Sequence, residues 1–325
     1  MGWQDSMISD NIARPAARLN DGQTSKAHGG MKLENLLHDL SWVLPLRSPE
    51  LTPIFKAFTW LGYTNFFLIL LPIIYWLWDR DRGTRVALLV FITALSNSLL
   101  KDIFQDPRPD IAFALDPEVG ASFGRPSGHA QIAFAMWLWL ALEIGRIWAW
   151  AAAIFIALGV SFSRLYLGVH DVDDVLVGST IGIATVILYR WTLTPSFDAW
   201  RRLPGSTYLL ILIGIGAVSF LLWPAQGESG RSALQVTGLM FGWWTGVLLD
   251  RRLSPLRAKP AGWWAWPIIG VGGTWVLLQM PGALAAGAQA LALPELPAAI
   301  GISAILGFYM TGFAPLVFRM LRLIR

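Results

Sequence analysis

The chain has 325 residues, 55% of them hydrophobic and 14% charged, with a mean hydropathy of +0.52, a composition far more apolar than that of an ordinary soluble domain. A formal charge of +4 raises nucleic acid as a partner, but basic totals in membrane proteins come mostly from cytoplasmic loops, so the position of the charges decides. Cysteine is absent, which excludes disulfides, thiolate nucleophiles and Cys-ligated metals.

Residues 1–32 are polar and without an apolar core, and are expected to be a disordered tail rather than a cleaved signal, leaving targeting to the first membrane helix. In 33–46, Leu33, Leu36, Leu37 and Leu40 recur at helical spacing against Glu34, His38 and Asp39. This predicts an amphipathic helix in the membrane interface, with a linker to residue 56. Crossing a ~30 Å hydrocarbon core takes about 20 apolar residues in a helix. Such runs lie at 57–78, 86–104, 129–145, 147–165, 174–191, 207–223, 233–249, 263–280 and 297–318. The predicted fold is therefore an all-α polytopic membrane bundle of about nine transmembrane helices. Its first five, within 57–192, form a core, and 193–325 add a four-helix extension.

Alternating loops can be tallied by side. One side holds 14 of the 25 Lys and Arg, including Arg80, Arg82, Arg85, Arg201, Arg202, Arg251, Arg252 and Arg319. The other holds five, namely Lys101, Arg108, Arg125, Arg164 and Arg231, and six precede the first span. The richer side is predicted to be cytoplasmic, and no basic patch for nucleic acid remains. The expected location is an integral membrane protein of a bacterial inner membrane, with the poorer side facing the periplasm; in a eukaryotic internal membrane that side would be the lumen.

On the poorer side, chemistry-bearing residues collect at the edges of spans. Lys101 and Arg108 end the second span, Ser127, Gly128 and His129 open the third, and Arg164, His170 and Asp174 join the fourth to the fifth. Singly, each has a structural reading: a snorkelling lysine, a loop arginine, an N-cap, a polar pair one helical turn apart. Asp171 and Asp173 read as solvated acids, with Asp173 a second candidate partner for His170. Arg125, Arg231 and Glu228 read as structural. Together, three cations, a hydroxyl and helix N-terminal N–H groups suit a tetrahedral phosphate. A neutral histidine can attack phosphorus, a carboxylate one turn away fixes its tautomer, and a second histidine can serve as acid and base. Two histidines beside three cations disfavour a metal ion, so neither metal nor cofactor is expected.

The pattern Lys101-x6-Arg108-Pro109, then Pro126-Ser127-Gly128-His129, then Ser163-Arg164-x5-His170-x3-Asp174 resembles the three-part signature of the phosphatidic acid phosphatase type 2 superfamily. The likeness covers about 75 residues and their flanking spans. It implies His170 as nucleophile forming a phosphohistidine, Asp174 as its orienting partner, His129 as general acid, and Lys101, Arg108, Arg164, Ser127 and Gly128 as phosphate ligands. The first motif follows the second span, a layout similar to glucose-6-phosphatase and sphingosine-1-phosphate phosphatases. A phosphorylated membrane lipid is the expected substrate. Phosphotransfer to a lipid or sugar hydroxyl, and non-catalytic lipid or anion transport, are the alternatives; transport would bring internal repeats and broken mid-membrane helices, which the sequence lacks. Beyond residue 192 no motif is legible; FGWWTG (241–246) and WWAW (263–266) read as packing and interface anchors.

Overall fold

The computed structural model describes residues 37–116, 122–223, 227–254 and 259–324. The expected tail and the start of the amphipathic helix lie outside the described residues. Between 39 and 46 turns replace the continuous helix expected there, followed by a 3-10 turn, Leu44–Leu46. Two local causes are visible. The Asp39 carboxylate accepts from the backbone N–H and the hydroxyl of Ser41 (2.7 and 2.8 Å), an alternative to helical pairing, and Pro45 lacks a donor. Leu40 and Val43 are buried against Leu165, Tyr166 and Leu167.

Every segment expected to span the membrane is helical, and no strand occurs among the described residues, where Pro260 and Ile324 form an isolated bridge. In chain order the helices of ten or more residues among those described are α1 (Leu51–Trp60), α2 (Thr64–Trp78), α3 (Arg80–Phe104), α4 (Gly128–Ile144), α5 (Ile147–Tyr166), α6 (Val172–Thr192), α7 (Gly205–Leu222), α8 (Glu228–Leu253), α9 (Ala265–Ala290) and α10 (Glu295–Met320). Five of them, α3, α5, α6, α9 and α10, are long and apolar enough to cross a membrane on their own. The expected first span is instead the pair α1 and α2, bent by 56° and a sixth candidate. α4, at 17 residues, and α7 are shorter.

Small residues set the packing. On α6, Gly178 and Gly182 lie one turn apart, and a Cβ there would come within 2.6 Å of the Ser127 carbonyl and 2.4 Å of the Gln131 carbonyl. These glycines let α6 press its backbone onto the start of α4. On α8, Gly238, Gly242 and Gly246 form a similar stripe facing Ile300, Ala304 and Thr311 of α10, so the extension is clasped by close backbone approach. Trp243 between them is fully buried and meets Tyr75 and Phe91 edge to face, which joins the extension to α2 and α3.

The two ends of the bundle differ in charge. At one, Arg85 grips Glu143 through two bonds (2.6 and 2.8 Å), Tyr75 and Arg319 hold Asp250, and Arg251 meets Asp81 at 2.9 Å. At the other, the C-termini of α3 and α5 converge with the N-termini of α4 and α6.

Candidate active site

That convergence follows from local sequence signals. The helix α6 starts at a capping box in which Asp171 accepts from the Asp174 N–H at 2.9 Å and Asp174 accepts in return from the Asp171 N–H at 3.4 Å. Asp174 is fully buried, and its Oδ2 also accepts from Nδ1 of His170 at 2.8 Å. The cap thus fixes a carboxylate that in turn fixes an imidazole. With Nδ1 engaged, Nε2 of His170 is the nitrogen left facing the cluster, 3.4 Å from the Arg108 guanidinium.

Arg108 is itself positioned. Its Nε donates to the Ser122 carbonyl (2.7 Å), and its terminal nitrogens donate to the Ser122 hydroxyl (3.0 Å) and the Val169 carbonyl (3.1 Å). Lys101, buried in the last turn of α3, donates to the carbonyls of Phe123 and Gly124. Arg164, buried in the last turn of α5, donates to the Thr59 hydroxyl and to Asp116 (2.8 Å). Ser127 ends the loop before α4 with its N–H donating to the Asp174 carbonyl at 3.0 Å, while its buried hydroxyl has no side-chain or backbone partner among the described residues. Nε2 of His129 is buried and likewise unmatched. Unmatched buried polar atoms are costly unless a ligand or water meets them, so both mark the inside of a polar recess.

His129 is seated by the bend between α1 and α2. Gly62 passes so close that a Cβ would come within 2.2 Å of its ring, and Tyr63 meets it edge to face at 5.2 Å. The Tyr63 hydroxyl donates to Asp116 at 2.5 Å. Behind α4, the buried amide of Asn97 donates to the Pro126 carbonyl (3.0 Å) and to Gln131 (2.9 Å), and Gln131 donates to Ser96 (3.0 Å). This network braces the Pro126–His129 turn.

All eight residues singled out in the sequence, Lys101, Arg108, Ser127, Gly128, His129, Arg164, His170 and Asp174, therefore lie at one end of the bundle, in one connected cluster. Burial, then Arg108, Lys101, Arg164 and His129, hold the His170 pKa well below its ordinary value, because each neighbour disfavours an imidazolium. One reading needs correction: Asp171 and Asp173 are not solvated. Asp171 is the cap of α6, buried, with His38 Nδ1 2.6 Å away, and that bond raises the His38 pKa. Asp173 pairs with Arg125 at 2.5 Å, and Arg125 also reaches Asp106 at 3.3 Å. Asp174, not Asp173, meets His170.

Asp106, Asp171 and Asp174 bring carboxylate oxygens within 4.8 Å of one another. Each already has a cationic or imidazole partner, in Arg125, His38 and His170 respectively, so these carboxylates are engaged within the protein.

Sequence reasoning missed Asp116, Tyr63, Thr59, Gly62, Asn97 and Gln131. They stand outside the three motifs, and only the fold brings them near.

The bundle and its buried cationic recess define a polytopic membrane protein with a site at the ends of four helices. Its family follows from comparison: the chain belongs to the PAP2 superfamily, whose family model matches residues 82–197. Phosphatidylglycerophosphatase B of Bacillus subtilis is 32% identical over 158 residues, 45% of this chain and 76% of that one. Mouse sphingosine-1-phosphate phosphatase 2 is 28% identical over 227 residues, 64% of this chain, and this chain spans 62% of its length. A crystal structure of a B. subtilis PAP2-type phosphatidylglycerolphosphate phosphatase, 28% identical, covers 48% of this chain and 84% of its own, with a TM-score of 0.42, a superposition too loose to carry an argument.

Proposed function

We propose that the protein is a metal-independent lipid phosphate phosphatase working through a phosphohistidine, with its site on the non-cytoplasmic side of the membrane. The observation that carries this is the buried His170–Asp174 pair, Nδ1 engaged at 2.8 Å and Nε2 turned toward Arg108. In the first step Nε2 attacks phosphorus, the bond from phosphorus to the lipid oxygen breaks, and the leaving oxygen takes a proton from His129. Asp174 holds the Nδ1 proton and stabilises the charge that builds on the ring. In the second step water gives a proton to His129 and attacks phosphorus, the P–N bond breaks, and phosphate leaves with His170 restored. Lys101, Arg108 and Arg164, with the Ser127 hydroxyl and the N–H groups opening α4, supply positive charge where the equatorial oxygens develop theirs.

A lipid is favoured because the recess sits at helix ends beside exposed apolar side chains, among them Ile103, Phe104 and Ile111. A chain can then stay in the bilayer while its phosphate reaches the recess. The relatives, a sphingosine-1-phosphate phosphatase and a phosphatidylglycerophosphatase, point to the same class. The side follows from arginines gathered at the opposite end, and a bacterial inner membrane suits that arrangement.

The test is His170→Ala, which removes the nucleophile at a capped helix start. Purified variant is expected to release no phosphate from sphingosine 1-phosphate or phosphatidylglycerophosphate while keeping its melting transition. Wild-type turnover should survive chelation by EDTA and be inhibited by vanadate. Retained activity in the variant removes His170 from the mechanism, and a Mg²⁺ requirement removes the metal-independent reading.

A further inference from the structure

Helices α3 and α7 each pack against α8, and between them lies an apolar groove of about 730 Å³. Ile92, Leu95, Leu99 and Ile103 form one face of α3 along it, and Ile215 and Val218 line the α7 side. The stretch from Ile92 to Ile103 rises about 17 Å at 1.5 Å per residue, close to half of a ~30 Å hydrocarbon core and hence to the depth of one leaflet. At the site end, Trp223 donates through Nε1 to Asp102 at 2.5 Å and bridges the two helices. Asp102 follows Lys101 directly, so the site end of the groove is one residue along α3 from a cation of the cluster.

We propose that this groove seats one hydrocarbon chain of the lipid whose phosphate enters the recess, making α7 a determinant of chain recognition. The inference rests on the phosphatase reading for its headgroup. The occupant is argued from three features: a wall that is apolar apart from Ser96, Ser219 and the Asp102–Trp223 bridge, a length matching one leaflet, and a site end one residue along α3 from Lys101. A chain anchored there would leave its terminal phosphate at the level of the cluster, so binding remote from phosphorus would orient the reacting group. The helix α7, which lies beyond the matched family segment ending at residue 197, thereby gains a role in the reaction.

Gly214 supplies the test. A Cβ placed on it meets nothing within 4 Å, so Gly214→Trp projects into open groove and is compatible with α7. For a C18 alkyl phosphate, kcat/KM is expected to fall about tenfold, equivalent to losing the burial of about two methylenes. Turnover of a butyl phosphate, too short to use the groove, should stay within about twofold, a difference below 0.5 kcal/mol. Binding of a C18 alkyl phosphonate, which requires no turnover, should weaken by the same factor in calorimetry. Equal effects on long and short substrates, or unchanged phosphonate binding, would show that only bulk bilayer lipid fills the groove and overturn the proposal. Wild-type protein that binds the phosphonate yet releases no phosphate would instead overturn the phosphatase reading and leave the groove standing.

Discussion

At the scale of single residues, the cluster works by relays of fixation. His38 meets Asp171, Asp171 caps the helix that carries Asp174, and Asp174 fixes the tautomer of His170. The two ends of this relay titrate in opposite senses: contact with Asp171 raises His38, whereas burial and nearby cations lower His170. A lowered imidazole pKa keeps the ring neutral, and nucleophilic, at pH values where an exposed histidine would already carry a proton. The acid limb of kcat/KM that reports His170 is therefore expected below its ordinary value of 6.5. A pH–rate profile on wild-type protein measures it, and an acid limb well above that value would show that the cations do not act on this ring as the geometry requires. His170 and Asp174 were legible in the sequence because they stand only four positions apart, a span that the capped start of α6 folds back on itself. Asp116 was not, since its bonds to Arg164 and Tyr63 join residues 48 and 53 positions away, with no periodicity to betray them.

At the scale of elements, helix ends rather than helix faces make the site, and glycines decide how near those ends come. Gly182 of α6 lies against the Gln131 carbonyl, one turn beyond the Ser127–His129 turn. Gln131 is also tied to Asn97 and Ser96 of α3. Gly182→Leu must therefore push α4 off α6 and disturb the buried amide network together. Overpacking of this kind costs about 1–3 kcal/mol, so a lower melting temperature in detergent is expected, with a larger fractional loss of activity than Gly182→Ala produces. Melting and activity equal to wild type in the leucine variant would mean that the helices do not need this close contact. The helical character of the nine apolar segments was readable from their hydrophobic runs, but among the described residues only five helices, or six with the bent α1–α2 pair, are long and apolar enough to cross a membrane. The bend of α1 against α2 was not readable, although Gly62 stands at it, because nothing local reveals that a histidine 67 positions later requires the space. The turns at 39–46 overrode an amphipathic pattern through Asp39 and Pro45, which act on backbone bonding rather than on hydrophobicity.

At the scale of the whole molecule, charge is divided between the two ends in different states of pairing. Arg85 with Glu143, Arg319 with Asp250 and Arg251 with Asp81 knit the core to its extension at one end. At the other, Arg164 is paired with Asp116 and Arg125 with Asp173, but Lys101 donates only to carbonyls among the bonds the structure shows, and Arg108 to carbonyls and a hydroxyl, partners that leave the charge of these two uncancelled. An excess of arginines in the loops and helix ends on one side is what keeps that side in the cytoplasm during insertion, whereas the uncancelled charge of Lys101 and Arg108 at the other end suits a phosphate arriving there. The two halves of this argument give one orientation, and the absence of native cysteine makes it directly testable. Asp110→Cys lies in the exposed loop beyond α3, near the site, and Arg202→Cys lies in the exposed connection between α6 and α7, at the opposite end. In intact cells a membrane-impermeant maleimide is expected to label the first and to reach the second only after permeabilisation. The reverse pattern would place the recess on the cytoplasmic side, and with it the leaflet from which the α3–α7 groove draws its chain.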